Sequence, residues 1–201
     1  MVRRVLPLST ILLSVFLIAA CSEPPNKELH QAQGAIDAAR SAGAAVYAPE
    51  ELKGAVDALN RAQDAVGQRD YRLALNHALD SRERAQAAAK RAADERATVR
   101  SDAERLLADT TAAISVATVR LKAAEDAHTP AEGTATLRAA IETAHKATEA
   151  AGNALAKEDY LVARQQLQGI SRAVAAAVES VPPPPPPPAP ARPSRPPRRR
   201  G

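Results

Sequence analysis

Large side chains are scarce in this sequence. Tryptophan is absent, phenylalanine occurs once and tyrosine three times, so aromatics are 2% of 201 residues. Phe16 lies in an N-terminal apolar run, which leaves only Tyr47, Tyr71 and Tyr160 for the rest of the chain. Alanine supplies most of the 45% apolar fraction. It has the best helix propensity and very little surface to bury, so a thick aromatic core is excluded and thin, closely packed helices are expected. The single cysteine, Cys21, excludes an internal disulfide. No Gly-rich phosphate loop, Gly-x-Ser-x-Gly elbow or His-Glu-x-x-His run is present, which removes the commonest nucleotide-binding, hydrolase and zinc-peptidase signatures.

An excess of charge of one sign is also missing, although the formal net charge is +4. Arg3 and Arg4 sit at the N-terminus, and Arg192, Arg195, Arg198, Arg199 and Arg200 in the last ten residues. With those seven set aside, 20 basic side chains face 23 acidic ones. The middle of the chain is therefore slightly acidic with both signs mixed, a solvated helical surface and not a nucleic-acid-binding face. No nucleic-acid partner and no cofactor is expected.

What is there begins with "MVRRVLPLSTILLSVFLIAA", residues 1–20. Two arginines, a short apolar run and small residues before residue 21 form the three-part secretory signal pattern. The apolar run falls short of the ~20 residues that a spanning helix needs; an uncleaved anchor helix with an incidental cysteine is the alternative. Ile18, Ala19, Ala20 and Cys21 resemble the lipobox of bacterial lipoproteins. That resemblance implies a diacylglyceryl thioether on Cys21, cleavage before it, and acylation of its amine in diderm bacteria. A thiol suits the role because its thiolate is the nucleophile, and two or more acyl chains give stable attachment where one does not. By the same resemblance Ser22, in place of Asp, favours the outer over the inner membrane, with the chain facing the periplasm.

Residues 21–26 read as the lipidated cysteine and a short tether, in which Pro24 and Pro25 keep the chain extended. Residues 27–180 read as one helical domain. The first helix is expected from Lys27 to Ala45, ended by Tyr47-Ala48-Pro49. Pro49 suits the first turn of the next helix, with Glu50 and Glu51 favouring its N-terminal dipole. Leu52, Ala55, Val56, Leu59, Ala62 and Val66 form its apolar stripe, Gly67 closes it, and Asp70 caps its successor. The third helix runs from Tyr71 to Ala127 through the seam Val99, Ala103, Leu106, Ala113, Ala117 and Ala124. A capping box at Ser101–Glu104 offers a break, but no Gly or Pro enforces one, and a continuous helix is expected. Thr129 as N-cap, Pro130 at the first position and Glu132 at the third start a fourth helix, with a stripe of Leu137, Ile141, Ala144, Thr148, Ala151 and Leu155. Asp159 caps a fifth, with Tyr160, Ala163, Leu167, Ile170 and Val174.

Two stretches align 89 residues apart: "AVGQRDYRLA" (65–74) and "ALAKEDYLVA" (154–163). The offset carries Leu52 onto Ile141, Ala55 onto Ala144, Ala58 onto Ala147 and Ala62 onto Ala151. The expected fold is all-α: an elongated, antiparallel, Ala-rich bundle of about five helices, read as two three-helix repeats sharing a long central helix. Chance similarity between Ala-rich stretches is the competing reading. The Asp-Tyr turn also resembles a tetratricopeptide turn, but the 34-residue period is missing. The segment "AGAAVYAPEEL" (42–52), continued by "RDY" and alternating Ala and Leu to about residue 100, resembles the bacterial family called domain of unknown function 4398. That resemblance implies a helical fold and an envelope location, and it supplies no catalytic residues.

Two Glu-x-x-His pairs, Glu125–His128 and Glu142–His145, match the unit from which ferritin-like di-iron sites are built. Their placement speaks against a shared metal. His128 falls at the turn and His145 ~14 residues into the next helix, about 20 Å away at 1.5 Å per residue. Both read as surface side chains, and no metal site is expected. Tyr71 and Tyr160, at equivalent places after the repeated turn, read as structural anchors.

Residues 181–201, "VPPPPPPPAPARPSRPPRRRG", carry seven consecutive prolines and five arginines. Such a run reads as polyproline II or disorder, spanning up to about 60 Å at ~3.1 Å per residue. It is a solubilising end, a cationic arm docking to anionic headgroups or wall polymers through Arg192, Arg195, Arg198, Arg199 and Arg200, or a proline motif for an envelope protein. The leading reading is a non-enzymatic, membrane-anchored envelope lipoprotein of structural or adaptor type. The alternative is a periplasmic binding module whose helical groove holds a ligand or partner helix. An enzyme is the third and most distant reading.

Overall fold

The structure, a computed structural model, describes residues 23–181. Within them lie seven helices and no strand: α1 (Asn26–Ser41), α2 (Ala44–Tyr47), α3 (Pro49–Gly67), α4 (Tyr71–Asp126), α5 (Ala131–Ala156), α6 (Tyr160–Leu167) and α7 (Ile170–Ser180). The chain divides between Thr98 and Val99 into two compact units, and α4 contributes its first half to one and its second half to the other. The Ser101–Glu104 stretch that offered a break lies inside α4, where Asp102 and Glu104 make ion pairs along the helix, Glu104 with Arg100 at 2.8 Å and Asp102 with Arg105 at 3.4 Å. The long helix is continuous, as expected.

The first unit packs α1, α3 and the first half of α4 around Ala32, Ile36, Ala39, Leu52, Ala55, Leu59, Ala85, Ala88 and Ala92. Its one large, fully enclosed side chain is Ile36. Alanine at nearly every contact lets the helices approach closely, and a side-chain bond crosses the gap: buried Ser81 donates its hydroxyl to the carbonyl of Ala55 at 2.8 Å. At the rim, Arg82 donates to Gln31 at 2.8 Å and ties α4 to α1.

The second unit packs the other half of α4 against α5 and the α6–α7 pair. One cluster holds Ile114, Ala117, Ala124, Leu137, Ala144, Val174, Ala177 and Val181. A second gathers Ala103, Ala151, Ala154 and Ala163 around Leu167. Thr110 lies on the buried face of α4 between Ala103 and Ile114 in sequence, and its hydroxyl is buried with no hydrogen-bond partner. An orphaned buried hydroxyl costs about 1–3 kcal/mol, whereas an apolar group of the same shape removes that cost. Thr110→Val is therefore expected to raise stability by about 1 kcal/mol, read as a higher urea midpoint at an unchanged m-value; a lower midpoint would show that the hydroxyl is satisfied in solution.

Burial follows the 89-residue offset over α3 and the first half of α4, but not over α1, whose buried Ile36 and Ala39 map onto exposed Glu125 and His128. Buried Ala55, Ala62, Ala74, Ala85, Ala88 and Ala92 correspond, 89 residues on, to buried Ala144, Ala151, Ala163, Val174, Ala177 and Val181. The two turns share their closing pair of backbone bonds. After α3, Asp70 N–H donates to Ala65 and Arg69 N–H to Val66; after α5, Asp159 N–H donates to Ala154 and Glu158 N–H to Leu155. Both are Schellman closures. α4 ends the same way, with Thr129 N–H on Ala124 and His128 N–H on Glu125.

These closures correct one expectation. Gly67 is the last residue of α3, but the left-handed position belongs to Arg69 (φ 60°), as it does to Glu158 (φ 60°) and His128 (φ 55°) in the other two turns. A side chain there costs roughly 1–2 kcal/mol that glycine avoids, partly offset by glycine's larger entropy in the unfolded chain. Arg69→Gly and Glu158→Gly are each expected to stabilise by about 0.5–1 kcal/mol, or a few degrees in Tm. A fall in Tm for both would overturn the account of the turns.

Three other boundaries differ from the sequence reading. The first helix does not reach Ala45: Gly43 adopts φ 87° and divides α1 from α2. Thr129 does not cap α5, because its N–H closes α4 and Pro130, extended at ψ 145°, takes the N-cap position. The expected fifth helix is two, parted at Gln168 and Gly169 (φ 82°), while its apolar stripe from Tyr160 to Val174 carries across the break. Asp70 does cap α4, accepting from Leu73 N–H at 3.0 Å. Pro49 opens α3 as expected.

Candidate functional site

The residues that carry the lipoprotein reading, Ile18, Ala19, Ala20 and Cys21, lie outside the described residues, as do Arg192, Arg195, Arg198, Arg199 and Arg200 of the tail. The described residues adjoin both segments in sequence. Helix α1 begins at Asn26, five residues after Cys21, and an open depression of about 490 Å³ is lined by Glu23, Pro24, Pro25, Asn26, Lys27 and Glu28. At the other end Val181 is buried, and its carbonyl accepts from an Arg120 guanidinium nitrogen at 2.7 Å. The start of the tail is thus held against α4.

The two Glu-x-x-His pairs do not come together as a site. Glu125 accepts from Arg138 at 2.7 Å and Glu142 from Lys146 at 2.7 Å, and His128 and His145 are exposed. Among the described residues no three His, Cys, Asp or Glu side chains are grouped to hold a metal ion. Tyr160 is buried at its turn with the Arg100 guanidinium 5.9 Å from its ring centre, a cation–π distance. Its counterpart Tyr71 is half-buried.

The break between α6 and α7 leaves a surface cleft of about 350 Å³, lined by Asp102, Arg105, Leu106, Arg164 and Gln168. Sequence reasoning missed it. Its signal was Gly169 standing inside an otherwise unbroken stripe. Two guanidinium groups and an amide can contact an anion, but Arg105 is already shared by Asp102 and Asp109, each at 3.4 Å, and is 62% exposed. No nucleophile paired with a base lines the cleft.

Most of the surface ion pairs run along single helices, while Arg138–Glu125 and Arg61–Asp80 join neighbouring helices. A hydrogen bond from Lys53 holds the Asp57 carboxyl below its ordinary range, and Asp57 in turn raises Lys53. Lys146 lowers Glu142 and is raised by it, again chiefly through their hydrogen bond. Arg84 and Arg100 are raised by hydrogen bonds to Asp80 and Glu104. All of these groups face water, where such pairs contribute little to stability.

Among the described residues, fold and surface define an all-α protein of two compact helical units. Residues 27–104, which span the first unit and the start of the second, match the family described as Domain of unknown function (DUF4398). No curated protein matches, and no solved structure matches. No described helix is long and apolar enough to cross a membrane.

Proposed function

We propose that this chain is a non-enzymatic lipoprotein of the bacterial cell envelope, anchored through lipid on Cys21 and working as a structural or adaptor element. The observation that carries the reading is Ile-Ala-Ala-Cys at the end of a two-arginine, apolar leader, with helical structure beginning five residues later. A tether that short holds the first unit close to the bilayer, and two or three acyl chains make the attachment durable. The Pro/Arg tail extends the body with five positive charges and no negative ones, a composition suited to anionic headgroups or wall polymers. An alanine core with exposed ion pairs suits scaffolding, because it gives close helix contacts without a deep apolar pocket among the described residues. A periplasmic binding module is favoured only by the α6–α7 cleft, and a stoichiometric ligand copurifying with the body would support it.

Cell fractionation tests the anchor and the arm separately. Cys21→Ser is expected to abolish lipidation, so that the chain is no longer recovered as a processed, membrane-bound form. Deleting residues 182–201 is expected to leave the anchor intact and to reduce association with isolated envelope polymers, most at low salt. A processed, membrane-bound Cys21→Ser chain would overturn the anchor. Undiminished binding after the deletion would overturn the arm.

A further inference from the structure

We propose that the second half of α4 carries a self-association surface that takes a second copy of this chain in antiparallel register. Val116 and Val119 are the most exposed large apolar side chains among the described residues, at 61% and 69%. They do not stand alone. Ala108, Ala112, Val116, Val119 and Ala123 follow steps of four, four, three and four residues, which places them on one helix face. That face lies away from the one bearing Ile114, Ala117 and Ala124, which packs into the core. Ala108 and Ala112 are exposed, and Ala123 is half-buried. The stripe is ~22 Å long and carries no charge over that length. Its small alanines allow close approach of another backbone, and its two valines supply the apolar contact.

The charges at its ends choose the occupant and its direction. Arg105, paired at 3.4 Å with Asp102 and with Asp109 and still 62% exposed, precedes the stripe, and exposed Asp126 follows it on the same face. A second copy laid antiparallel brings Arg105 opposite Asp126 twice, Ala112 opposite Val119 and Ala108 opposite Ala123. A parallel copy would set arginine on arginine and aspartate on aspartate, which is repulsive. A single helix face of this length covers about half of the ~800 Å² per partner of a standard interface. The pairing is therefore weak, and crowding on a surface strengthens it. It does not depend on how the chain is anchored.

Cysteine crosslinking of the purified full chain at high concentration tests the proposal, with the parent chain, whose only cysteine is Cys21, as the baseline. The substitution Val116→Cys lies beside the two-fold axis, which falls between Ser115 and Val116, and is expected to give an oxidised dimer of twice the chain mass. Arg105→Cys and Asp126→Cys should not link alone but should link to each other when two tagged forms are produced together. Adding Val119→Lys to Val116→Cys should cut the dimer at least about tenfold, with the helical melting curve of the purified chain unchanged. Self-linking of Arg105→Cys would overturn the antiparallel register. Absence of the Val116→Cys dimer would overturn the second copy as occupant.

Discussion

Replacing Leu167 by alanine is expected to destabilise the second unit by about 3–4 kcal/mol, near the upper end for a leucine deletion. Leu167 is fully enclosed, and the buried residues around it are alanines: Ala103, Ala151, Ala154 and Ala163. An alanine cannot swing a longer side chain into the space that Leu167 would leave. Of the larger neighbours, Leu106, Leu107 and Leu155 are only partly buried at the rim of that cluster, so collapse is limited and a cavity remains. Against a total stability of ~5–15 kcal/mol for a typical domain, the loss is large. It should appear in urea unfolding as an early transition, with amide exchange accelerated in α5 and α6 while α1 and α3 keep their protection. A change below about 1 kcal/mol would show that the alanine core relaxes far more than its composition allows.

The second large effect comes from adding atoms. Ala55 is fully buried in α3, and its own carbonyl accepts the Ser81 hydroxyl from α4 at 2.8 Å. Helices bridged by so short a side chain have no room for a branched one between them. Ala55→Leu is expected to cost about 3 kcal/mol, at the upper end for overpacking, and to break the Ser81 bond as the helices part. Ala55→Gly provides the contrast: it adds no volume and should cost only about 1 kcal/mol through helix propensity. Comparable losses for the two variants would mean that close approach is not what holds α3 to α4.

How much of this was legible in the sequence follows from where the information lies. The stripes of α3, α5 and α6 are periodic, and the structure buries Leu52, Ala55, Leu137, Ala144, Ala163 and Leu167 as their spacing requires. The 89-residue repeat was legible because a turn and its Asp-Tyr pair recur; the structure extends it from the turn to the helix contacts. The breaks at Gly43 and Gly169 carry only the glycine itself as a signal, because each stands inside a run that otherwise reads as helix. Whether it takes a left-handed φ is decided by the packing of the flanking helices. The closures at Arg69, His128 and Glu158 were hidden for the opposite reason. Charged or polar residues hold a conformation that glycine usually marks, and the hydrogen bonds to the preceding turn offset the local cost. Thr129 was misplaced by one residue because its N–H serves the end of α4 as well as the approach to α5.

The candidate site divides in the same way. A processing signal is a linear pattern, so Cys21 and its three predecessors are named by sequence alone, without a fold. The α6–α7 cleft and the exposed Val116–Val119 face are properties of packing. The first depends on a helix break, and the second on which side of α4 the other helices cover.

Intact-mass analysis of the protein purified from membranes of a bacterial host that processes lipoproteins tests the central claim most directly. A chain beginning at Cys21, heavier than its sequence by a diacylglyceryl group and an acyl group on the amine, is the result the account predicts. A chain that still begins at Met1, or one cut elsewhere with an unmodified Cys21 thiol, would contradict it.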